Sequence, residues 1–98
     1  MYVLTKQHTL VNLDLCPIVC ETPSYDNTGY MIQASTPDGK DAITLAWFRR
    51  DQECVARDVF DQFLFALSHA TSEHDVIDLE QISKKALYEY DNGKVYEG

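Results

Sequence analysis

Apolar and polar residues alternate along much of the first half of the chain, which is the pattern of half-buried β-strands. Residues 2–5 form a short run of strand-forming residues, and residues 6–9 are polar enough for a turn. Within residues 10–15, Val11, Leu13 and Leu15 alternate with Asn12 and Asp14. Pro17 interrupts this second run, and residues 18–22 continue it beyond the break. Because proline cannot donate a hydrogen bond to a neighbouring strand, we expect this strand at a sheet edge.

A second pair of alternating runs, residues 30–35 and 42–48, is separated by Pro37-Asp38-Gly39. Proline fixes φ for a turn, aspartate bonds back to the backbone, and glycine accepts a positive φ. The two runs therefore predict a β-hairpin over residues 30–48. Alternation along its return strand places three apolar side chains on one face: Ile43, Leu45 and Trp47.

The apolar period lengthens to three or four residues over residues 51–69, which predicts one long amphipathic helix. The apolar residues that recur in this way are Val55, Ala56, Val59, Phe60, Phe63, Leu64 and Leu67. Asp51 has the side chain of an N-cap, and Val59, Phe63 and Leu67 are expected to pack on the sheet. Residues 70–72 end the pattern.

The last quarter of the chain supports two interpretations. Residues 75–79 predict a short strand, and residues 81–90 predict a second helix, because apolar residues recur there every four positions before Asn92-Gly93, a helix stop signal. The alternative is a β-hairpin between residues 87–90 and 95–96, turned by the same Asn-Gly pair.

These patterns predict a single α+β domain over residues 1–98, a length typical of one hydrophobic core. Residues 1–50 are expected to form an antiparallel sheet of four to five strands from β-hairpins. Residues 51–70 supply the main helix that packs on it. Residues 71–98 form a C-terminal segment with a strand, a short helix or both.

Short motifs along the first 70 residues form a pattern that also occurs in other small proteins. The chain opens with Leu4-Thr5-Lys6 and Leu10-Val11-Asn12-Leu13, turns at Asp38-Gly39, leaves the turn through Ile43-x-Leu45, and continues into a helix with Ala56 and Phe60. This arrangement resembles short uncharacterised proteins of Gram-positive bacteria and their phages over about the first 70 residues. The resemblance implies a compact sheet-plus-helix fold and carries over no activity and no catalytic residue.

The net charge of −8 is concentrated in the second half of the chain. Residues 1–50 hold five acidic and four basic residues, whereas residues 51–98 hold eleven acidic and four basic residues. Direct nucleic-acid binding is not expected, because phosphate contact needs a basic surface. The charge instead favours a protein partner with a basic surface.

The sequence predicts a cytoplasmic protein. It has no apolar run of about 18 residues that could span a membrane and no secretory signal at its N-terminus. Its three cysteines, Cys16, Cys20 and Cys54, form no framework, and free thiols in a reducing compartment are the simplest interpretation.

No motif predicts a metal, a cofactor or a catalytic residue. Cys16 and Cys20 form one loose pair without the second pair or histidines of a zinc site, and we expect both on one face of an extended strand. Cys54 and His69 lie about 22 Å apart along the predicted helix, too far to form a nucleophilic pair. The remaining histidines, His8 and His74, are expected to be structural or solvated.

Carboxylates are numerous but scattered. The densest stretch contains Glu73, Asp75, Asp78 and Glu80, yet it lacks the spacing and the glycine of a calcium loop. A solvated loop or an acidic helix start accounts for it better.

Phe65 does not fit the core stripe of the predicted helix. At about 100° per residue from Asp51, the apolar stripe centres near 130°, whereas Phe65 falls near 320° with Cys54, Asp58 and Asp61. Aromatic side chains are enriched at interface centres. We therefore expect an interaction face made by Asp51, Asp58, Asp61 and Phe65, with Phe65 in contact with the C-terminal segment or a second chain.

Three functional hypotheses follow. The first is a non-enzymatic, acidic protein–protein interaction module, phage-related if the resemblance holds, with a second copy of the chain as an alternative partner. The second is an inhibitor that mimics nucleic acid and occupies the basic groove of a nuclease or a DNA-binding protein, as anti-CRISPR and anti-restriction proteins do. The third is a small enzyme, for which no nucleophile, base and oxyanion donor can be assembled.

Overall fold

The computed structural model describes residues 1–24, 26–70 and 75–91, and its fold confirms the predicted α+β class. The elements are, in order, β1 (Tyr2–Leu4), β2 (Leu10–Asn12), β3 (Ile18–Pro23), β4 (Gly29–Ser35), β5 (Ala42–Arg49), a 3-10 turn (Arg50–Gln52), α1 (Glu53–His69), β6 (Val76–Asp78) and α2 (Leu79–Asp91). The predictions made for Glu73, His74, the Asn92-Gly93 stop signal and residues 95–96 lie outside the described residues.

The strands of the described residues form two sheets of three strands, in the orders β2-β1-β6 and β3-β4-β5. The predicted single antiparallel sheet of four to five strands is therefore wrong. β2 ends early because the Asn12 side chain accepts a hydrogen bond from the backbone N–H of Asp14 at 2.9 Å, which turns the chain. β1 pairs in parallel with β6, from the far end of the chain.

β4 and β5 are antiparallel, with Gly29 opposite Arg49 and Ser35 opposite Ala42. Residues 36–41 connect them, and Gly39 has a φ of 73°, which glycine adopts without strain. The Asp38 carboxylate accepts hydrogen bonds from the Thr36 hydroxyl at 2.6 Å and the Lys40 N–H at 3.0 Å, which fixes the turn.

A register shift in the β4–β5 pair changes which side chains share a face. The shift lies at Ile32/Gln33, and it inserts one extra residue into β5. Ile43 pairs with Ala34 and Trp47 pairs with Met31, so the two side chains point to opposite faces. The predicted common face of Ile43, Leu45 and Trp47 is wrong, because a bulge resets the alternation that predicted it.

Helix α1 supplies the centre of the core. Val59 and Phe63 are fully buried, and Leu67 is partly buried against the same cluster. The helix ends at His69, as predicted, but it begins at Glu53 with Gln52 as its N-cap. The prediction of Asp51 as N-cap is wrong, because residues 50–52 form a 3-10 turn in which the Gln52 side chain accepts the Arg49 N–H at 3.1 Å.

Helix α2 packs against α1 through a buried face of Leu79, Ser83 and Ala86. Its first turn is capped by the Asp78 carboxylate, which accepts the Gln81 N–H at 2.8 Å. The strand followed by a helix matches the preferred prediction for this segment. The alternative hairpin is wrong, because residues 87–90 are helical.

Lys6 links the two sheets at the outer edge of β5. Its backbone N–H donates to the Leu45 carbonyl at 3.0 Å, and its ammonium donates to the Trp47 carbonyl at 2.8 Å. The same ammonium lies 4.3 Å from the centre of the Phe48 ring, a cation–π contact. The Lys6 ammonium is partly buried, and this burial, together with the nearby Arg49 cation, lowers its pKa. Among the described residues, no helix is long and apolar enough to cross a membrane.

The two phenylalanines of α1 provide a matched test of this packing. Phe63 is fully buried, whereas Phe65 is 66% exposed. Phe63→Ala should reduce the free energy of unfolding by about 3–5 kcal/mol, because it leaves a cavity in the core. Phe65→Ala should change it by less than about 1 kcal/mol. Chemical denaturation measures both values, and equal losses for the two variants would contradict the orientation of α1.

Candidate functional site

The outward face of α1 holds three of the four residues expected at an interaction face, which are Asp58, Asp61 and Phe65. Asp61 and Phe65 are exposed, and Asp58 is partly exposed. The fourth residue, Asp51, lies in the 3-10 turn before the helix rather than on the helix itself. We use the term outward face for Asp58, Asp61 and Phe65.

Phe65 is an exposed aromatic residue that is held in place by its own helix. Its ring stacks on the His69 ring, with 4.1 Å between centroids and 28° between planes. The Ser68 hydroxyl donates to the Phe65 carbonyl at 2.8 Å, and His69 Nδ1 lies 2.9 Å from the same oxygen. The described residues of the C-terminal segment leave most of Phe65 uncovered, so that predicted contact is not made by them. Contact with a second chain stays a prediction.

The aspartates near Phe65 differ in how they are satisfied. Asp58 accepts a hydrogen bond from the Gln62 side-chain amide at 3.0 Å. Asp51 forms an ion pair with Arg49 at 3.2 Å, and its carbonyl accepts the Tyr90 hydroxyl at 3.1 Å. Asp51 is thus tied to β5 and α2, whereas the negative charges of Asp58 and Asp61 belong to the outward face.

A second acidic group lies between β3 and α1, and the sequence interpretation missed its key residue, Glu21. Glu21 pairs with the fully buried Ile32, so its side chain points to the helix side of the sheet. The charged side chains that act electrostatically on Glu21 belong to α1 and are Arg57, Asp61 and Glu53. The signal for this placement was the spacing of Val19 and Glu21, which lie two positions apart in β3 and therefore share its inward face.

Glu21 is incompletely compensated. Its Oε2 is removed from solvent and has no hydrogen-bond partner in the described structure. The Arg57 guanidinium donates instead to Glu53 at 3.1 Å, one turn earlier on the helix. Burial, followed by the nearby carboxylates Asp61 and Glu53, raises the pKa of Glu21, and the Arg57 cation opposes this shift. The site therefore lacks a hydrogen-bond donor for one buried oxygen.

The three cysteines are free thiols. The prediction that Cys16 and Cys20 share one face of a strand is wrong. Cys16 lies in the turn before β3 and is buried in the core. Cys20 pairs with Gln33, so it points away from the helices. The prediction failed because residues 13–16 form turns rather than an extended strand. Within residues 1–24, 26–70 and 75–91, no three His, Cys, Asp or Glu residues are placed to hold a metal ion.

The remaining candidates are an ion pair and a groove. His8 Nδ1 lies 2.6 Å from Glu80, which also accepts from Lys84 at 2.9 Å, and both contacts lower the pKa of Glu80. A groove of about 440 Å³ separates the end of α1 from β6 and the start of α2. Its described lining residues are Ala66, Ala70, Asp75, Val76, Ile77, Asp78, Gln81 and Ile82. These described residues include two carboxylates, Asp75 and Asp78, and no cysteine, serine or histidine.

No protein-family model, curated protein or solved structure matches the chain. The resemblance to small proteins of Gram-positive bacteria and their phages stays an expectation.

The raised pKa of Glu21 predicts a pH-dependent effect of removing its charge. Folding raises the pKa of Glu21 above its ordinary value of 4.5. The folded protein therefore becomes less stable as the pH rises from 4.5 through the folded-state pKa, because the buried carboxyl must ionise. Glu21→Gln should therefore be at least as stable as the natural chain at pH 7, and its advantage should shrink as the pH falls to 4.5 or below. Urea denaturation across this pH range measures the difference. The quantity to compare is the free energy of unfolding of Glu21→Gln minus that of the natural chain. A smaller difference at pH 7 than at pH 4 would contradict the burial of an uncompensated carboxylate.

Proposed function

We propose that the protein is a non-enzymatic, acidic protein–protein interaction module that binds its partner through the outward face of α1. The observation that carries this proposal is Phe65, a large aromatic side chain that is 66% exposed and is stacked on His69. Stacking restricts the ring, so less conformational freedom is lost when a partner covers it.

The charges beside Phe65 define the partner. Asp58 and Asp61 flank the ring on the helix surface, and the chain as a whole carries a net charge of −8. Two copies of this face would bring like charges together, which disfavours self-association through it. A partner with an apolar pocket and a basic rim complements the face. Burying the phenylalanine contributes about 1.5–3 kcal/mol, which corresponds to roughly ten- to hundredfold in affinity.

Mimicry of nucleic acid is supported less well by the same geometry. A mimic needs carboxylates whose charge is available to a basic groove. Instead, Asp51 is paired with Arg49 and Glu53 is paired with Arg57, so two cations interrupt the acidic surface. The interaction module requires no continuous acidic stripe.

Differential affinity capture from the native host tests the proposal. The natural chain and Phe65→Ser are used as baits, and captured proteins are quantified by mass spectrometry. A partner of the outward face should be lost with Phe65→Ser, by roughly tenfold or more, because its apolar anchor is missing. The thermal melting of both baits is measured first to show that the variant is folded.

Tyr88→Ser is the matched control, since Tyr88 is a comparably exposed aromatic on α2. It should leave capture of the partner unchanged, whereas Asp58→Asn combined with Asp61→Asn should weaken capture and its dependence on salt. Capture that survives Phe65→Ser but is lost with Tyr88→Ser would move the interaction to α2 and contradict the proposal.

A further inference from the structure

The outer edge of β3 is unpaired among the described residues. β3 is the terminal strand in the order β3-β4-β5, and it is six residues long. In the part of the chain that the structure describes, no segment pairs with its outer edge. The opposite edge of the sheet differs, because the Lys6 backbone and side chain bond to the Leu45 and Trp47 carbonyls of β5. An unpaired strand edge offers backbone donors and acceptors to an added strand.

Glu21 gives this edge a chemical preference. It lies in the middle of β3 and points inward, toward α1, as does its cross-strand neighbour Ile32. In an added strand, the residue directly opposite Glu21 would point to the same face of the sheet. Its side chain would therefore reach Glu21 and the α1 residues Glu53 and Asp61.

The charges around Glu21 call for a cation. Among the described residues, the charged groups that act on Glu21 are one guanidinium, that of Arg57, and two carboxylates, those of Asp61 and Glu53. Arg57 donates to Glu53, and Glu21 Oε2 stays buried without a donor. A lysine or arginine from outside would supply the missing donor and bring the net charge of the group closer to zero.

We infer that the outer edge of β3 binds an extended peptide strand from another protein, with a lysine or arginine placed opposite Glu21. This inference rests on the proposed function, since it specifies how an interaction module recognises its partner. Backbone hydrogen bonds to β3 supply affinity, and the basic side chain at Glu21 supplies specificity.

A second copy of the chain is a poorer occupant of the same edge. Antiparallel pairing of two β3 strands centred on Glu21 would place two Glu21 carboxylates directly opposite each other on the same face, where like charges repel. Pro23 also lacks a backbone donor at one end of the strand. An inward-pointing charge on an edge strand is itself a device that blocks self-pairing, and a basic partner strand removes that obstacle.

Two synthetic peptides test the inference on the full chain. The probe is the acetylated and amidated heptapeptide Thr-Val-Thr-Lys-Thr-Val-Thr, and its control has glutamate in place of lysine. The lysine peptide should shift the backbone amide resonances of residues 18–22 in a nitrogen-15 NMR titration, and the glutamate peptide should not. Glu21→Gln should weaken binding of the lysine peptide by about tenfold or more, because it removes one charge-assisted hydrogen bond.

Asp91→Asn is the matched control, because it removes the same charge from the end of α2 and should leave the affinity unchanged. Equal shifts with both peptides, or no shift of residues 18–22 at millimolar peptide, would overturn the inference. Sedimentation of Glu21→Val provides a second measurement. If this variant dimerises and the natural chain does not bind the lysine peptide, Glu21 only blocks self-pairing and the inference is wrong. Phe65→Ser should bind the peptide normally, so failure at β3 and failure at the outward face are told apart.

Discussion

Burial of the apolar stripe of α1 is the interaction on which the rest of the structure depends. β1, β2 and β6 have three residues each, and strands this short are not stable as an isolated sheet. α1 contacts β6 in one sheet and β3, β4 and β5 in the other. Val55, Val59 and Phe63 are fully buried in the core that both sheets share. One helix face therefore packs against both sheets, which are also joined by the hydrogen bonds of Lys6 to Leu45 and Trp47.

This packing also decides which surfaces remain for binding. Because the apolar stripe faces the sheets, Phe65 is directed outward and Glu53, Arg57 and Asp61 are directed toward the edge strand β3. Asp61 takes part in both surfaces, since it is exposed beside Phe65 and influences the ionisation of Glu21. The outward face and the β3 edge are thus neighbouring consequences of one helix orientation.

The two surfaces use different chemistry. The outward face offers an exposed apolar ring, so the binding proposed there would draw its affinity from removing that ring from water. The β3 edge offers backbone groups and a buried Glu21 oxygen that no described residue donates to, so the binding inferred there would draw its affinity from hydrogen bonds made in a less polar environment. A partner that complements one of the two proposed surfaces does not automatically complement the other.

The sequence by itself determined the features that depend on neighbouring residues. The three-to-four-residue period produced α1 and the exposure of Phe65 opposite the core, and the chemistry of Asp38 and Gly39 produced the turn between β4 and β5. Tertiary structure decided the rest. The parallel pairing of β1 with β6 joins residues about 74 positions apart, beyond any local pattern. The bulge in β5 placed Ile43 and Trp47 on opposite faces. The strand order left Glu21 pointing inward on an edge that no described residue pairs with. Both follow because the orientation and neighbours of a strand are set by what packs against it.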